Sequence, residues 1–295
     1  MHVGIVCDHS DPSRGGAERY LARLRARLEL HGHTVTTCAR RGPHAVPTRA
    51  SPPAFRPSYY ARAFLPRLRD AGAEVILATV PVPGCDVYQP HHGIYAAAIP
   101  AHLDPVAWGW RHLRRVNPYR AWHFSRLRLY EARVIDKAWA LSPRIVRDIE
   151  RFYPGTRVPM HRAGVDLRRF APAPPPSHDP VLLFVAHNRE LKGLKTALRA
   201  LDRLPSARLI IAGAGRSHGR VEYRPFAPGL YHEASVLVHP TYYDTASLVV
   251  LEALASGRPA ITTVRDGNAD LAVEGGGAAL AAPDDDAALA REVVR

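Results

Sequence analysis

The sequence contains no run of about 18 apolar residues, which excludes a membrane-spanning helix. It begins with a strand-like segment, MHVGIVCD, in place of the basic and apolar regions of a secretory signal, so we expect a cytoplasmic protein. Cysteine is scarce. Cys7, Cys38 and Cys85 lie far apart without metal-ligand spacing, which is typical of reduced, mostly buried thiols, and we assign them no catalytic role.

Lysine and acidic side chains are also few. The chain has 40 lysine and arginine residues against 27 aspartate and glutamate residues, which gives a formal net charge of +13. An excess of this size favours anionic partners, whether nucleic acid, an anionic membrane surface or phosphorylated substrates, and does not choose among them. The only lysines are Lys137, Lys192 and Lys195, and the last two attract interest because they share one short segment.

The GxGxxG fingerprint of dinucleotide-binding proteins is absent, which argues against an NAD or FAD enzyme. Instead, β-type and α-type segments alternate in two blocks separated by a proline-rich stretch. This alternation predicts an α/β protein with two Rossmann-like, parallel-sheet domains facing across a cleft. We assign residues 1–169 to an N-terminal domain, 170–180 to a linker and 181–295 to a C-terminal domain. Hydrophobic periodicity also predicts individual elements, among them a strand over Lys137–Leu141 and a helix over Ser142–Tyr153.

The most informative segment covers residues 239–263. It places two carboxylates, Asp244 and Glu252, eight positions apart across the start of a predicted helix. Such carboxylates make a polar end for a sugar ring and a nucleotide ribose, while the backbone N–H groups of Ser247 and Leu248 suit a phosphate. A helix capped by Asp244 or Thr245, with a solvated Glu252, explains the same residues equally well.

Two further segments suit a diphosphate. Gly15 and Gly16 follow the first predicted strand and open a helix, where paired glycines let an anion approach the backbone. Arg189 and Lys192 lie between a predicted strand and a helix of the second domain, at the edge where parallel sheets bind ligands. The alternatives are a tight turn without a ligand and a solvated basic loop.

A histidine pair completes the candidate residues. His91 and His92 follow a short predicted strand and a proline, a position from which they can project into an interdomain cleft. The chain has 16 histidines, and a single pair among so many is typical of ordinary surface or core residues.

Taken together, these segments resemble the family 4 retaining glycosyltransferases, which have the GT-B fold. GGAERYLARLRARLELHGHTVT is similar to the family's N-terminal glycine loop and first helix, and HRAGVDLRRF to the segment before its interdomain linker. NRELKGLKTALRAL followed by RLIIAGAG is similar to the start of the donor-binding domain, and YYDTASLVVLEALASGRPAITT to the Glu-x7-Glu segment. HNRELKGL and YYDTASLVVLEAL look closest to lipopolysaccharide core glucosyltransferase I-like members.

The resemblance implies roles for residues of the C-terminal half. Glu252 matches the glutamate that holds the donor's ribose, and Asp244 stands where the family has the glutamate facing the sugar. Lys192 and Arg189 match the cations that neutralise the departing diphosphate.

The resemblance extends to the N-terminal half, where Gly15 and Gly16 match a loop that closes on the same diphosphate. His91 or His92 would face the transferred sugar. The implied reaction is retaining hexosyl transfer from a nucleotide-diphosphate sugar, of the UDP-hexose type, to a lipid-linked saccharide such as lipopolysaccharide core. Fixed cations and N–H dipoles stabilise the charge that grows on the diphosphate. We therefore expect no metal and no cofactor besides the donor substrate.

The sequence departs from the family pattern in three places. Asp244 is one methylene shorter than glutamate, which withdraws the carboxylate by about 1.5 Å. The segment between Gly215 and Val236 is short, and the chain stops at Arg295, so we expect a shortened C-terminal domain. These departures keep open a second hypothesis, a non-catalytic nucleotide-binding relative.

Two basic-aromatic stretches of the N-terminal half suit the acceptor side. Residues 111–128 contain six arginines and no acid, with Trp108, Trp110 and Trp122 in or beside them, and residues 55–69 have a similar composition. Arginine with interleaved Trp and Tyr suits an anionic membrane interface or a phosphorylated lipid-linked saccharide. The hypothesis that the partner is nucleic acid has only the positive charge to support it. Two amphipathic helices with core aromatics and solvated arginines explain the composition as well.

Overall fold

The computed structural model describes residues 1–47, 53–101, 104, 117–174, 176 and 180–295. These residues form two compact units. The N-terminal unit comprises the described residues up to Arg162 except Asp104, and the C-terminal unit comprises Asp104 and the described residues from Ala163 onward.

The N-terminal unit is built on a parallel sheet of four strands in the order β2-β1-β3-β4. The strands are β1 (His2–His9), β2 (Thr34–Arg41), β3 (Val75–Ala78) and β4 (Val87–Tyr88). Its helices are α1 (Gly16–Leu30), α2 (Arg56–Ala63), α3 (Leu65–Asp70), α4 (Tyr95–Ala101), α5 (Pro118–Ala132) and α6 (Pro143–Phe152). One face of this sheet is covered by apolar residues that recur at helical spacing and are fully buried, namely Tyr60, Phe64 and Leu68.

The C-terminal unit contains a parallel sheet of six strands in the order β10-β9-β8-β5-β6-β7. The strands are β5 (Val181–Val185), β6 (Arg208–Ala212), β7 (Val221–Arg224), β8 (Val236–Val238), β9 (Ala260–Thr263) and β10 (Ala278–Leu280). The helices are α7 (Leu194–Asp202), α8 (Leu230–Glu233), α9 (Leu248–Ala255), α10 (Ala269–Glu274) and α11 (Asp286–Val294). Every residue of β5, β8 and β9 is buried, as expected of parallel strands covered on both faces.

The α/β class and the two parallel sheets predicted from the sequence are therefore confirmed. The predicted strand over Lys137–Leu141 is wrong: a 3-10 turn spans Ile135–Lys137, and the next residues make only isolated bridges. One reason is that the neighbouring strand β4 is only two residues long, so few backbone hydrogen bonds can pair another strand with it. Within the described part of the chain, no helix combines the length and apolar character needed to cross a bilayer.

Candidate functional site

The strongest cluster of polar side chains lies at the carboxyl ends of β5, β8 and β9. These three strands are neighbours in the C-terminal sheet and are parallel, so the loops that follow them meet at one edge. In open α/β sheets this edge is where ligands bind. The loop after β5 carries Lys192, the loop after β8 carries His239 and Asp244, and the loop after β9 carries Asp266.

Gly193 allows the first two of these loops to touch. It has φ +80°, and a Cβ on it would lie 2.1 Å from the carbonyl oxygen of Pro240. Only glycine accommodates both the left-handed conformation and this approach. The N–H of Tyr242 also donates to the carbonyl of Leu191 at 2.9 Å. The chain on either side of Lys192 is therefore held against the segment that precedes Asp244.

Lys192 and Asp244 form an ion pair within this contact. The Nζ atom of Lys192 lies 2.6 Å from Oδ2 of Asp244 and donates to the carbonyl of Tyr243 at 2.9 Å. His239 Nε2 lies 3.0 Å from the same Oδ2. The side chains of Lys192 and Asp244 keep 18% and 15% exposure, so the pair is largely desolvated yet still open to a ligand.

The pair sets the charge of the site. Burial disfavours the carboxylate of Asp244, but the charge of Lys192 and the hydrogen bond from His239 outweigh it and lower its pKa below the ordinary range. Asp244 is therefore an anion near neutral pH. Its oxygens can accept hydrogen bonds from sugar hydroxyls, and the remaining N–H of Lys192 can face a phosphate.

A second carboxylate, Asp266, lies beneath the first. It is 1% exposed, and burial together with the charge of Asp244 raises its pKa. Its Oδ1 accepts from the hydroxyl of Ser247 at 2.7 Å and from the N–H of Asn268 at 2.8 Å, and its Oδ2 accepts from the hydroxyl of Thr262 at 2.8 Å. Sequence reasoning missed Asp266 and gave His239 no role.

Ser247 occupies the N-cap position of α9, but its hydroxyl binds Asp266 and does not cap the helix. The first-turn N–H groups of α9, beginning at Leu248, thus receive no side-chain cap from Ser247 and retain their partial positive charge. This end of the helix remains suited to the phosphate that the sequence predicts there. The interpretation of Asp244 as the helix N-cap is wrong.

Glu252 lies one turn deeper in α9. It is 0% exposed, and its Oε2 accepts the hydroxyl of Tyr231 at 2.8 Å. The interpretation of Glu252 as a solvated residue is therefore wrong. Its contact with a ribose stays a prediction.

Arg189 belongs to the same loop as Lys192, and its guanidinium contacts the loop that follows β6, so its contact with a diphosphate stays a prediction. Its Nη2 donates to the carbonyl of Ala214 at 2.6 Å, and its guanidinium lies over the ring of Tyr223 at 5.1 Å. Gly213 has φ +118°, and a Cβ there would lie 3.0 Å from Arg189 Nη2. The structure thus binds Arg189 to the end of β6 and leaves the ion pair with Asp244 to Lys192.

His239, Asp244 and Asp266 each place one potential metal-ligating atom within 4.8 Å of the others. The ammonium of Lys192 is 2.6 Å from the relevant oxygen of Asp244, and its charge opposes a cation at this point. The hydroxyl of Thr262 already donates to Asp266. The donor set therefore fits a hydrogen-bonded ion pair better than a metal centre, and independence from metal stays a prediction.

The remaining predicted residues belong to the N-terminal unit. Gly15 is the extended residue before α1, and Gly16 is the first residue of that helix. A Cβ on Gly15 would lie 3.1 Å from a carboxylate oxygen of Glu18. This contact is with the end of a flexible side chain, which can move away, and a phosphate at this turn stays a prediction.

The loop after β4 carries the histidine pair. His91 is half-buried, with Nε2 3.2 Å from Oε1 of Gln89 and its ring 5.0 Å from that of Tyr20. Desolvation, with a smaller contribution from His92, lowers the pKa of His91. His92 is exposed. A neutral His91 that is anchored by Gln89 remains compatible with contact to an uncharged sugar.

The two basic-aromatic stretches meet in the N-terminal unit. Phe55 contacts Trp122 with ring centroids 5.5 Å apart, and the guanidinium of Arg126 lies 5.5 Å from the ring of Phe55. Tyr60 and Phe64 are core residues, as the amphipathic-helix interpretation expects, whereas Tyr119 and Trp122 are exposed. Trp108, Trp110 and residues 111–116 lie outside the described residues.

Comparison with known proteins agrees with this geometry. Residues 179–295 match the model of the family described as glycosyl transferases group 1. This match covers less than half of the chain and contains Lys192, Asp244 and Glu252.

One curated relative and two solved structures show how far the similarity extends. The chain is 32% identical over 170 residues to glycogen synthase from Mycobacterium tuberculosis (strain CDC 1551 / Oshkosh). This match spans 49% of the chain and 41% of the synthase, so the chain covers less than half of that relative's length.

The structural matches cover nearly the whole chain. WaaG, a glycosyltransferase involved in lipopolysaccharide biosynthesis, has a TM-score of 0.77 at 18% identity, over 99% of this chain and 90% of WaaG. Anabaena Alr3699/HepE in complex with UDP-glucose has a TM-score of 0.66 at 16% identity, over 100% of this chain and 89% of that one. These likenesses confirm the GT-B-like fold predicted from the sequence.

Proposed function

We propose that the protein is a retaining, metal-independent glycosyltransferase that uses a nucleotide-diphosphate hexose, of the UDP-hexose type. The observation that carries the proposal is the Lys192–Asp244 ion pair at the carboxyl edge of the C-terminal sheet, beside the N-terminus of α9. A cation and a helix N-terminus at one point suit a diphosphate, and an ionised carboxylate beside them suits sugar hydroxyls. The glycosyl transferases group 1 match and the UDP-glucose complex of Anabaena Alr3699/HepE support the same donor class.

In the proposed reaction, the bond between the anomeric carbon and the diphosphate oxygen breaks as the acceptor hydroxyl attacks from the same face. Charge grows on the departing diphosphate, where Lys192, Arg189 and the N–H groups at Ser247 and Leu248 stabilise it. The hydroxyl proton passes to the phosphate oxygen, so no protein base is required. Asp244 orients the sugar through its hydroxyl groups.

The other predicted residues complete the proposal. Glu252 would hold the donor's ribose, and the turn at Gly15 and Gly16 would contact the diphosphate from the N-terminal unit. His91 would face the transferred sugar.

Donor turnover tests this proposal directly. The purified protein is incubated with a panel of UDP- and GDP-hexoses, with and without EDTA, and release of the nucleotide diphosphate is followed. We expect turnover of one donor that persists in EDTA and falls at least about 100-fold in Lys192→Ala, because removal of a buried charge contact to the transition state costs several kcal/mol. Lys195→Ala is the matched control, since Lys195 is exposed in the first turn of α7, three residues after Lys192. No turnover of any donor would refute the enzymatic proposal.

The acceptor side of the proposal rests on α5. Tyr119, Trp122, Arg126 and Leu129 recur at helical spacing, and Tyr119, Trp122 and Leu129 expose 56%, 43% and 56% of their surface. Exposed aromatic and apolar residues beside arginine are typical of a helix that lies on an anionic membrane surface. We therefore propose that the acceptor is a lipid-linked saccharide, such as lipopolysaccharide core, presented at the inner face of the cytoplasmic membrane.

Vesicle flotation separates this proposal from simple charge attraction. The full chain should float with vesicles of phosphatidylglycerol and phosphatidylcholine. Trp122→Ala should weaken binding by about fivefold to thirtyfold, because burial of an aromatic side chain contributes about 1–2 kcal/mol. Trp139→Ala is the control, since Trp139 is similarly exposed, at 39%, outside α5. Equal losses in both variants, or binding of duplex DNA in preference to vesicles, would contradict a membrane role for α5.

A non-catalytic nucleotide-binding relative remains the second candidate, because Oδ2 of Asp244 is already bound by both Lys192 and His239. Calorimetry would then show UDP binding that Lys192→Ala weakens, with no sugar transfer from any donor. Measurable turnover would exclude this candidate.

A further inference from the structure

His239 is held rigidly at the end of β8. Its side chain is 2% exposed, its backbone N–H donates to the carbonyl of Ile261 at 2.8 Å, and its carbonyl accepts the backbone N–H of Thr241 at 2.6 Å. A buried imidazole anchored on both sides of its backbone has one orientation available to it. The ring is therefore a fixed point at the floor of the candidate site.

The two ring nitrogens have different surroundings. Nε2 lies 3.0 Å from Oδ2 of Asp244 and 4.0 Å from Oδ2 of Asp266. Nδ1 is buried and has no hydrogen-bond partner among the described residues. A proton on Nδ1 would be unsatisfied, whereas a proton on Nε2 faces two carboxylates. The geometry therefore assigns the N–H to Nε2, from which it donates to Asp244.

Asp266 reinforces this arrangement from below. Its carboxylate accepts three hydrogen bonds, from Ser247, Thr262 and Asn268, so its position does not depend on His239. Oδ2 of Asp266, a hydrogen-bond acceptor, lies 4.0 Å from Nε2, which favours the proton on that nitrogen. The same carboxylate ties the floor of the site to the N-cap residue of α9.

The orientation of the Asp244 carboxylate depends on the hydrogen bonds that it accepts. Its carboxylate is short, and with Lys192 as its only partner it could rotate about the Cβ–Cγ bond. Two donors on the same oxygen, Lys192 Nζ at 2.6 Å and His239 Nε2 at 3.0 Å, oppose that rotation and fix the direction of the other oxygen. Fixed geometry of this kind is what orientation of a reacting sugar requires.

We propose that His239 and Asp266 are positioning residues for Asp244: His239 holds the carboxylate through its Nε2–H, and Asp266 holds the tautomer of His239. This inference rests on the proposed function, in which Asp244 orients the donor sugar. Neither residue touches the substrate.

Three variants test the kinetic consequence. His239→Leu removes the donor, and we expect kcat for donor turnover to fall about 10- to 100-fold, the loss of one hydrogen bond to a charged group. His239→Gln can place an amide N–H at the position of Nε2 and should retain kcat within about threefold. Asp266→Asn should lower kcat by about threefold to tenfold, because its contact with the ring is longer. His187→Leu, at an exposed position of the same unit, is the control.

A nucleotide-binding measurement separates positioning from general damage. UDP affinity should remain within about twofold in His239→Leu and His239→Gln, because in the proposed function Asp244, the partner of His239, contacts the sugar and not the nucleotide. A parallel loss of UDP affinity and kcat in His239→Leu, without rescue by His239→Gln, would overturn the proposal. Unchanged kcat in His239→Leu or in Asp266→Asn would overturn the part assigned to that residue.

A spectroscopic measurement decides the contact independently of activity. Long-range proton–nitrogen correlation spectra of ¹⁵N-labelled full-length protein distinguish the two tautomers, and the His239→Gln spectrum assigns the signal. We expect a proton on Nε2 and none on Nδ1, with the preference reduced in Asp266→Asn. Absence of a proton on Nε2 would overturn the inference even in an active enzyme. Absence of turnover would refute the proposed function while the spectrum still decides the contact.

Discussion

Removal of Lys192 should destabilise the C-terminal unit in a way that depends on pH. In Lys192→Ala, the largely buried carboxylate of Asp244 loses its cation and keeps only the N–H of His239. Breaking a buried ion pair by removing one partner costs about 3–5 kcal/mol. Because both side chains retain some exposure, at 18% and 15%, we expect about 2–3 kcal/mol at pH 7.5.

The sign of the pH dependence follows from the pKa of Asp244. In the native protein this pKa is lowered, because Lys192 and His239 outweigh burial. Asp244 then contributes stability above its unfolded pKa of about 3.9, and this stability is lost only as pH falls through the lower folded pKa. In the variant, burial dominates and raises the folded pKa, so ionisation costs stability as pH rises. The difference between the two proteins should therefore shrink from pH 7.5 towards pH 4.5.

Urea denaturation of both proteins at pH 7.5 and pH 4.5, with Lys195→Ala as control, measures this difference. The double variant Lys192→Ala/Asp244→Asn should recover at least about 1 kcal/mol of the loss at pH 7.5, because it removes the unpaired charge. A destabilisation that is equal at both pH values, or a double variant no more stable than the single one, would refute the argument that Lys192 compensates a buried carboxylate.

Three other perturbations have definite expected outcomes. Glu131 is fully buried, and burial, only partly offset by the N–H of Tyr95 and two tyrosine hydroxyls, raises its pKa to about 7. Ionisation of Glu131 should therefore lower the free energy of unfolding of the N-terminal unit by about 2–3 kcal/mol as pH rises from about 4.5 to 8. Urea denaturation of Glu131→Gln over the same pH range should show no such loss. Gly193→Ala should lower the free energy of unfolding by more than about 3 kcal/mol through its left-handed φ and the contact with a carbonyl oxygen, whereas Gly219→Ala, at φ +52° in open space, should cost about 1 kcal/mol in the same urea experiment. Tyr231→Phe removes the hydroxyl that binds buried Glu252 and should cost about 1–3 kcal/mol by thermal unfolding, and no change in melting temperature would contradict that contact's importance.

Much of the fold was predictable because local sequence and tertiary structure agree. Buried parallel strands need continuous apolar runs, and Val181–Val185 shows one clearly. The helix predicted over Ser142–Tyr153 also forms, at Pro143–Phe152 with Ser142 as its N-cap, since capping signals are local. Lys137–Leu141 shows the limit of such reasoning: its strand-like pattern found no long partner strand.

For the candidate site, too, the sequence predicted some features and the tertiary structure decided others. The sequence indicated Lys192 and Asp244 as separate residues, one for a phosphate and one for a sugar, and left open whether Asp244 was merely a helix cap. Their ion pair spans 52 positions and depends on the approach of Gly193 to Pro240, which no local pattern encodes. Glu252 was expected either to bind a ribose or to be solvated. The structure excludes the solvated alternative, because Glu252 is buried and accepts the hydroxyl of Tyr231.

The sequence by itself determined the α/β class, the two parallel-sheet blocks and the charged residue types of the donor segment, because periodicity, turn residues and composition act locally. Only the tertiary structure decided which of those residues touch. It brought His239 and Asp266 to the edge of the sheet beside Asp244. There Lys192 and His239 outweigh burial and lower the pKa of Asp244, while burial and the charge of Asp244 raise that of Asp266. The physical reason is that strand order sets which loops are neighbours, and strand order depends on packing between segments far apart in the chain.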